Sequence, residues 1–527
     1  MTAVLGSEGF GDSVSRRLRG GLMVCGTTSD AGKSQFVGGL CRLLVRRGVR
    51  VAPFKAQNMA NNSYVTSSGH EIGRAQGIQA VAARVPAEVA MNPILLKPTG
   101  DRTSQVIVSG VPIGHLSAAE YHSRKPELLG TVLETLADLR LRFDVVICEG
   151  AGSPTEINLL SHDIVNLRIA FEAKLPAVVI GDINPGGVFA ALFGTVALLP
   201  DHLRACVKGF VINKFRGDPA LLFDGTAQLE SACGVPTFGV LPWINELSLD
   251  AEDSMSLPSW HNNHATGGGG LGDSLDIAVI RLPRIANFTD FDPLGLEPGV
   301  NIRFVEHRSV LGQPDLLVIP GSKATVDDLA WMREQGFVAA LNQLNSTHIL
   351  GICAGYQMLG WSIEDSIESG AGLVDGLGLL PVATRFELQK ITRQREATAL
   401  GHNLSGYQIH HGRVVRQGEQ GEDWMLIKAE DSDGVSAVEV RQEVDGRMVA
   451  GTTLHGLFES DDFRSAFLSD LATRVGKVFV PSGVSFAARR EEQIDRFADA
   501  IEQHVDVDRI LELIATGTLT SRSVVCA

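Results

Sequence analysis

A chain of 527 residues, with 46 Lys+Arg against 61 Asp+Glu and a formal charge of −15, is long enough for more than one sizeable core and about two to four domains. Hydrophobic residues at 44% and charged residues at 20% exclude a mostly disordered chain and predict a soluble globular protein. The acidic balance argues against nucleic acid and membrane as partners, since either needs a broad cationic face.

The seven cysteines, Cys25, Cys41, Cys148, Cys206, Cys233, Cys353 and Cys526, form no CxxC pair. That scatter predicts a reducing, cytoplasmic setting with neither a disulfide framework nor a zinc knuckle. No uncharged apolar run reaches the roughly 18 residues of a membrane span. Residues 1–20 mix Gly, Ser and Arg and are predicted to be disordered.

Residues 21–245 read as an α/β domain. The apolar runs at 22–25, 144–148, 177–180 and 209–212 alternate with helical patterns, as strands of a parallel sheet covered on both faces do. Phe36, Val37, Leu40, Leu43 and Leu44 follow a helical period that ends at Arg46, Arg47 and Gly48. Between the first strand and this helix lies GTTSDAGKS, residues 26–34. In such a loop backbone N–H groups face phosphate oxygens, Lys33 reaches the terminal phosphates and Ser34 ligates Mg²⁺. The predicted ATP-binding residues are Gly26, Thr27, Thr28, Asp30, Ala31, Gly32, Lys33 and Ser34. Five residues rather than four separate Gly26 from Gly32, and the longer loop resembles that of dethiobiotin synthetase. Glu149 and Asp182 lie just past strand C-termini, which makes them, with Ser34, the predicted Mg²⁺ ligands.

Residues 246–275 include HNNHATGGGG and are predicted to be a flexible linker. Strand-like runs resume at 276–280, 315–320 and 348–353, so residues 276–475 read as a second α/β domain. In GICAGYQ, 351–357, glycines flank Cys353 on a strand-to-helix turn that exposes the sulfur. The N–H groups of Ala354 and of Gly321, in PGS after another strand, are the predicted oxyanion donors. His455, in GTTLHGLF, is the predicted base that makes Cys353 a nucleophile for acyl transfer, with His410 and His411 as competitors. Residues 476–527 are predicted to form a helical cap, with one helical pattern from Arg489 to Ile514. Residues 21–245 are near charge balance and the acidic excess lies beyond them, so anion binding in the first domain is not opposed by its own field.

PFKAQNMANNS (53–63), EIGRAQ (71–76), MNPILLKP (91–98), EGAGSP (149–154), NKFRGD (213–218), PGSKATVDDL (320–329) and LHGLFES (454–460), in order with the two motifs above, resemble the cobyric acid synthases of cobalamin biosynthesis. The resemblance covers nearly the whole chain after residue 20. It implies a P-loop, dethiobiotin-synthetase-like amide synthetase domain followed by a class I glutamine amidotransferase domain. It implies ATP- and glutamine-dependent amidation of the b, d, e and g carboxylates of adenosylcobyrinic acid a,c-diamide, with Mg²⁺ and no tightly bound organic cofactor. Lys55, Gln57, Asn58, Arg74, Gln76 and Lys97 become candidates for holding the corrin. It further implies a Cys–His pair without a third acid: Leu457 stands where triad enzymes carry Glu. The chain departs from the family in Asn184-Pro185, where Asp-Arg is usual, and in Gln408, where Glu is usual. The competing readings are cobyrinic acid a,c-diamide synthase and a P-loop scaffold with a vestigial amidotransferase domain.

Overall fold

The computed structural model describes residues 18–100, 102–244, 274–429 and 435–519. The predicted disorder at 1–17 and nearly all of the predicted linker lie outside the described residues. Residues 18–20 belong to the fold instead: Leu18 is buried and Gly20 opens the first strand.

Six parallel strands form the first sheet, in the order Thr237–Pro242, Val207–Phe215, Ala177–Asp182, Gly20–Gly26, Val145–Glu149 and Val51–Phe54. The four apolar runs are the inner strands, buried on both faces as their composition requires. The first helix runs Lys33–Arg46 and stops before Gly48, whose φ of 76° suits the left-handed region.

Two small sheets that no motif or periodicity signals lie beside this one. Strands Gln57–Met59, Ile94–Pro98, Thr103–Val108 and Val111–Ser117 make one, and the hairpin Ser63–Val65/Glu71–Gly73 makes the other. The hairpin meets the second half of the chain, where Val65 is buried with Tyr407 and Ile409.

The second large sheet has 11 strands. Its parallel part, Val300–Val305, Leu275–Ile280, Leu316–Ile319, His348–Ile352 and Arg447–Thr452, contains the runs predicted from sequence. Its antiparallel part includes the long hairpin Val382–Ala399/His402–Arg416.

The C-terminal pattern forms two helices, Phe486–His504 and Val507–Thr516, rather than one. Val505 leaves the helical region and Asp506 caps the second helix by accepting from the Arg509 N–H at 3.1 Å. Both helices return to the first sheet: Phe497, Ile501, Ile510 and Leu513 bury against the core of Leu22, Phe36 and Leu40. The fully buried Arg42 guanidinium donates to Glu491 at 2.8 Å and Asp495 at 2.9 Å. Among the described residues no helix is long and apolar enough to cross a membrane.

Candidate active site

The first site gathers at the C-terminal ends of the first sheet. Thr27 N–H donates to Ile180 O at 2.9 Å, which pins the loop to the neighbouring strand. Gly32 starts the helix at φ 93°, and a Cβ there would come within 2.2 Å of Asn213 Nδ2, so only glycine fits. Lys33 Nζ donates to Thr28 O at 2.7 Å, Ser29 O at 3.0 Å and Gly152 O at 3.3 Å, spanning the loop and the EGAGSP turn.

Ser34 Oγ donates to Glu149 Oε1 at 2.8 Å. Glu149 is buried and also receives Lys55 Nζ at 2.8 Å and Gln79 Nε2 at 2.5 Å. Ser34 and Glu149 are therefore together, whereas Asp182 pairs with Lys214 Nζ at 2.7 Å on the other flank of the loop. A cleft of about 350 Å³ opens here, lined by Ser29, Asp30, Lys33, Lys55, Gln57 and Asn58 among others.

The other three corrin candidates lie elsewhere. Arg74 donates to Glu459 of the second half at 2.7 Å. Gln76 is fully buried and accepts from Asn58 Nδ2 at 2.9 Å. Lys97 lines the second site, where its ammonium meets Glu71 at 3.0 Å and Ser63 Oγ at 2.8 Å. Alternation along Ile94–Pro98 turns its side chain away from the loop.

The second site is a narrow cavity of about 40 Å³ holding Cys353, Ala354, Gly321 and His455. Strand His348–Ile352 ends at Cys353 and helix Ala354–Leu359 begins at the next residue. Cys353 takes φ 51°, ψ −106°, a strained conformation at the turn. Gly355 is obligatory, because a Cβ would strike Ile319 O at 1.8 Å.

His455 is buried and follows strand Arg447–Thr452; Asp290 is a hydrogen-bonding partner of its ring, and Cys353 lines the same cavity. Its Nδ1 lies 2.6 Å from Asp290 Oδ2, while Asp290 Oδ1 accepts the Gly456 N–H at 2.8 Å. Burial opposes charge on this ring, but Asp290 first and Cys353 second raise it to about 10. His410 has no acid: burial pushes it down to about 3, and its Nδ1 faces Gly412 O at 2.7 Å. His411 is also lowered by burial. The expected pair without a third acid is thus not what the structure contains. Leu457 is buried and apolar, but a carboxylate comes from 165 residues upstream. No local spacing signals Asp290; only the fold brings it to His455.

Known proteins resemble this chain over almost its whole length. The family model of the CobQ/CobB/MinD/ParA nucleotide binding domain matches residues 22–257, and that of the CobB/CobQ-like glutamine amidotransferase domain matches 276–463. The cobyric acid synthase of Frankia casuarinae is 48% identical, over 95% of this chain and 98% of its own. That of Streptomyces avermitilis is 50% identical, over 95% and 97%. That of Mycolicibacterium paratuberculosis is also 50% identical, over 94% and 97%.

The chain belongs to the cobyric acid synthase family. Like the family it is a glutamine-dependent ligase of cobalamin biosynthesis, with a nucleotide-binding P-loop half and a glutamine amidotransferase half.

The positions where the resemblance implies departures, Asn184-Pro185 and Gln408, have structural settings. Near Asn184-Pro185 a cation is still present, because Lys214 Nζ reaches both Asp182 and Asp30 O, the latter at 2.6 Å. Gln408 is buried, accepts from Arg395 Nε at 3.0 Å and donates to Thr453 Oγ1 at 2.7 Å. Thr453 in turn donates to the buried Glu439 at 2.5 Å, so the neutral Gln408 avoids a second carboxylate in this chain of bonds.

Proposed function

We propose that this ligase amidates the b, d, e and g carboxylates of adenosylcobyrinic acid a,c-diamide, spending ATP and releasing glutamate from glutamine at each. The observation that supports this best is a pair of distinct centres on one chain: a P-loop cleft and a cysteine–histidine cavity that shares a wall with the P-loop half through Lys97.

A carboxylate is a poor electrophile, so the γ-phosphoryl of ATP goes to a corrin carboxylate oxygen to give an acyl phosphate and ADP. Lys33 neutralises charge on the phosphates. The oxygen donors of Ser34 and Glu149, adjacent at 2.8 Å, have the chemistry Mg²⁺ prefers and would hold it. Bound there, Mg²⁺ supplies further charge neutralisation for the phosphoryl oxygens. Asp182, engaged by Lys214, borders the loop as a further candidate. Pockets of about 300–1,000 Å³ enclose a drug-sized ligand. The cleft, at about 350 Å³, lies at the lower end of that range, and Lys55, Gln57 and Asn58 on its wall would hold an acid arm of the corrin beside the phosphates.

In the second cavity Cys353 Sγ attacks the amide carbon of glutamine, and the oxyanion meets the N–H groups of Ala354 and Gly321. His455 takes the thiol proton and returns it to the departing nitrogen, releasing ammonia; water then hydrolyses the thioester to glutamate. Ammonia passes between cavities that two paired strands serve. Strand Ile94–Pro98 gives Lys97 to this cavity, and strand Gln57–Met59, paired with it at Asn58↔Leu95, gives Gln57 and Asn58 to the other. Attack on the acyl phosphate forms the amide and frees phosphate.

The test is the mass of the corrinoid after incubation with ATP and glutamine. Four added amides on the a,c-diamide are expected. Two amides on cobyrinic acid itself would indicate the a,c-diamide synthase, and an unchanged corrinoid would indicate a scaffold.

A further inference from the structure

Cobyric acid synthases are expected to lack a third acid, yet the His455 ring is fixed from both nitrogens. Asp290 can only accept, so Nδ1 carries the proton and donates to Oδ2 at 2.6 Å. On the other side Asn287 Nδ2 stands 3.3 Å from Nε2. The orientation of that amide is set by Ser63 N–H, which donates to Asn287 Oδ1 at 2.9 Å. With Nδ1 held by Asp290, Nε2 is the ring nitrogen left to exchange a proton with the thiol.

The segment carrying Asp290 is held from outside its own half. Phe288 N–H donates to Asn62 Oδ1 at 3.1 Å, next to the Ser63 contact. Asn287 takes φ 53°, a left-handed conformation that Asn tolerates better than most residues and that needs such support. Asn62 and Ser63 precede and open the hairpin of the P-loop half.

We propose that Asp290 is the positioning residue of the glutaminase histidine, aiming His455 Nε2 at Cys353 and stabilising the imidazolium, and that Asn62 and Ser63 of the P-loop half hold it in place. The proposal rests on Cys353 and His455 being the glutaminase pair. Glutamine hydrolysis is then geometrically complete only while the two halves are seated together, through bonds to residues that touch neither glutamine nor ATP.

The groups facing His455 are Asp290, Cys353, the stacked Tyr407 ring and His410; across the cavity stand Lys97, Lys390, His411 and the Lys323–Glu368 pair. Asp290→Asn changes only the first of these. The full chain is assayed for glutamate release and, separately, for amidation with ammonium in place of glutamine. For Asp290→Asn, kcat for glutamate release is expected to fall about tenfold or more, with KM for glutamine little changed. The alkaline limb of kcat/KM should move to lower pH, because the imidazolium loses its counter-charge, and Asp290→Glu should restore part of the rate. Ammonium-dependent amidation at the wild-type rate shows that the variant is folded. Asn62→Ala should shift the same limb in the same direction by less. An unmoved alkaline limb in Asp290→Asn, or an unchanged kcat, overturns the role of Asp290; a wild-type profile in Asn62→Ala overturns the hold by the P-loop half. Failure of the underlying reading would look different: Cys353→Ala would still hydrolyse glutamine.

Discussion

Lys97 and Lys390, from opposite halves of the chain, meet on one buried carboxylate: Lys97 Nζ is 3.0 Å from Glu71 Oε2 and Lys390 Nζ is 2.5 Å from Glu71 Oε1. Despite its burial, the two ammonium groups, Lys390 ahead of Lys97, hold the Glu71 carboxyl well below the usual range. Lys390 itself is lowered by burial to about 8. Two cations on one anion leave positive charge beside the glutaminase cavity, which opposes ammonium and favours the neutral nucleophile.

That junction gives the first prediction. Lys97→Met removes one cation and leaves Glu71 paired with Lys390. With ¹⁵N-amide glutamine and unlabelled ammonium present together, the wild-type enzyme should place mostly ¹⁵N in the corrin. The variant should still release glutamate and still amidate from ammonium, but with a labelled fraction at least about twofold lower and free ¹⁵N-ammonia in the medium. An unchanged labelled fraction would remove Lys97 from the route.

The second prediction separates the two centres. Cys353→Ala should abolish amidation with glutamine and leave amidation with ammonium within about threefold of wild type, since Cys353 lines the other cavity and is not among the residues lining the P-loop cleft. Loss of both activities would mean that the cysteine supports structure rather than chemistry.

What could be read from the sequence was what lies within one strand, turn and helix. The P-loop and the Cys353 turn are each contiguous, so the glycines at 32 and 355 carry their own geometric reason. Asp290 was out of reach because its partner is 165 residues away and FTDFDPLGL has no helical or strand period. That Lys97 lines the cavity of Cys353 rather than the P-loop cleft is not legible either, because strand membership does not say which cavity a face meets. The last helices were legible as amphipathic, but an apolar stripe does not name its partner, and theirs is the first sheet. The long hairpin is not legible in the sequence because Val382–Ala399 carries the largely polar run ELQKITRQRE, without alternation or a continuous apolar stretch.

The third prediction concerns Lys33. Lys33→Ala should stop corrin amidation even with saturating ammonium, because phosphoryl transfer precedes nitrogen attack, while glutamate release persists. A loss of more than about a hundredfold is expected for removing a positioned charge from a phosphoryl-transfer site. Undiminished product with ammonium would remove Lys33 from the ATP step.

The fourth prediction is a stability effect of pH at Glu439. Burial raises this carboxyl to about 7, against the bonds that Thr453 donates from N–H at 2.9 Å and from Oγ1 at 2.5 Å. A folded pKa above the unfolded one, which is about 4.3, means that the folded state prefers the protonated acid. The stability Glu439 contributes is therefore present below about pH 4.3 and is lost as pH rises through about 7. Glu439→Gln keeps an oxygen for Thr453 and cannot ionise. Thermal unfolding at pH 8 should show the variant more stable than wild type by about 1–3 kcal/mol, with the gain shrinking steadily toward pH 5. Equal gains at both pH values would show that the carboxyl does not titrate in this range, because a packing change alone has no reason to depend on pH.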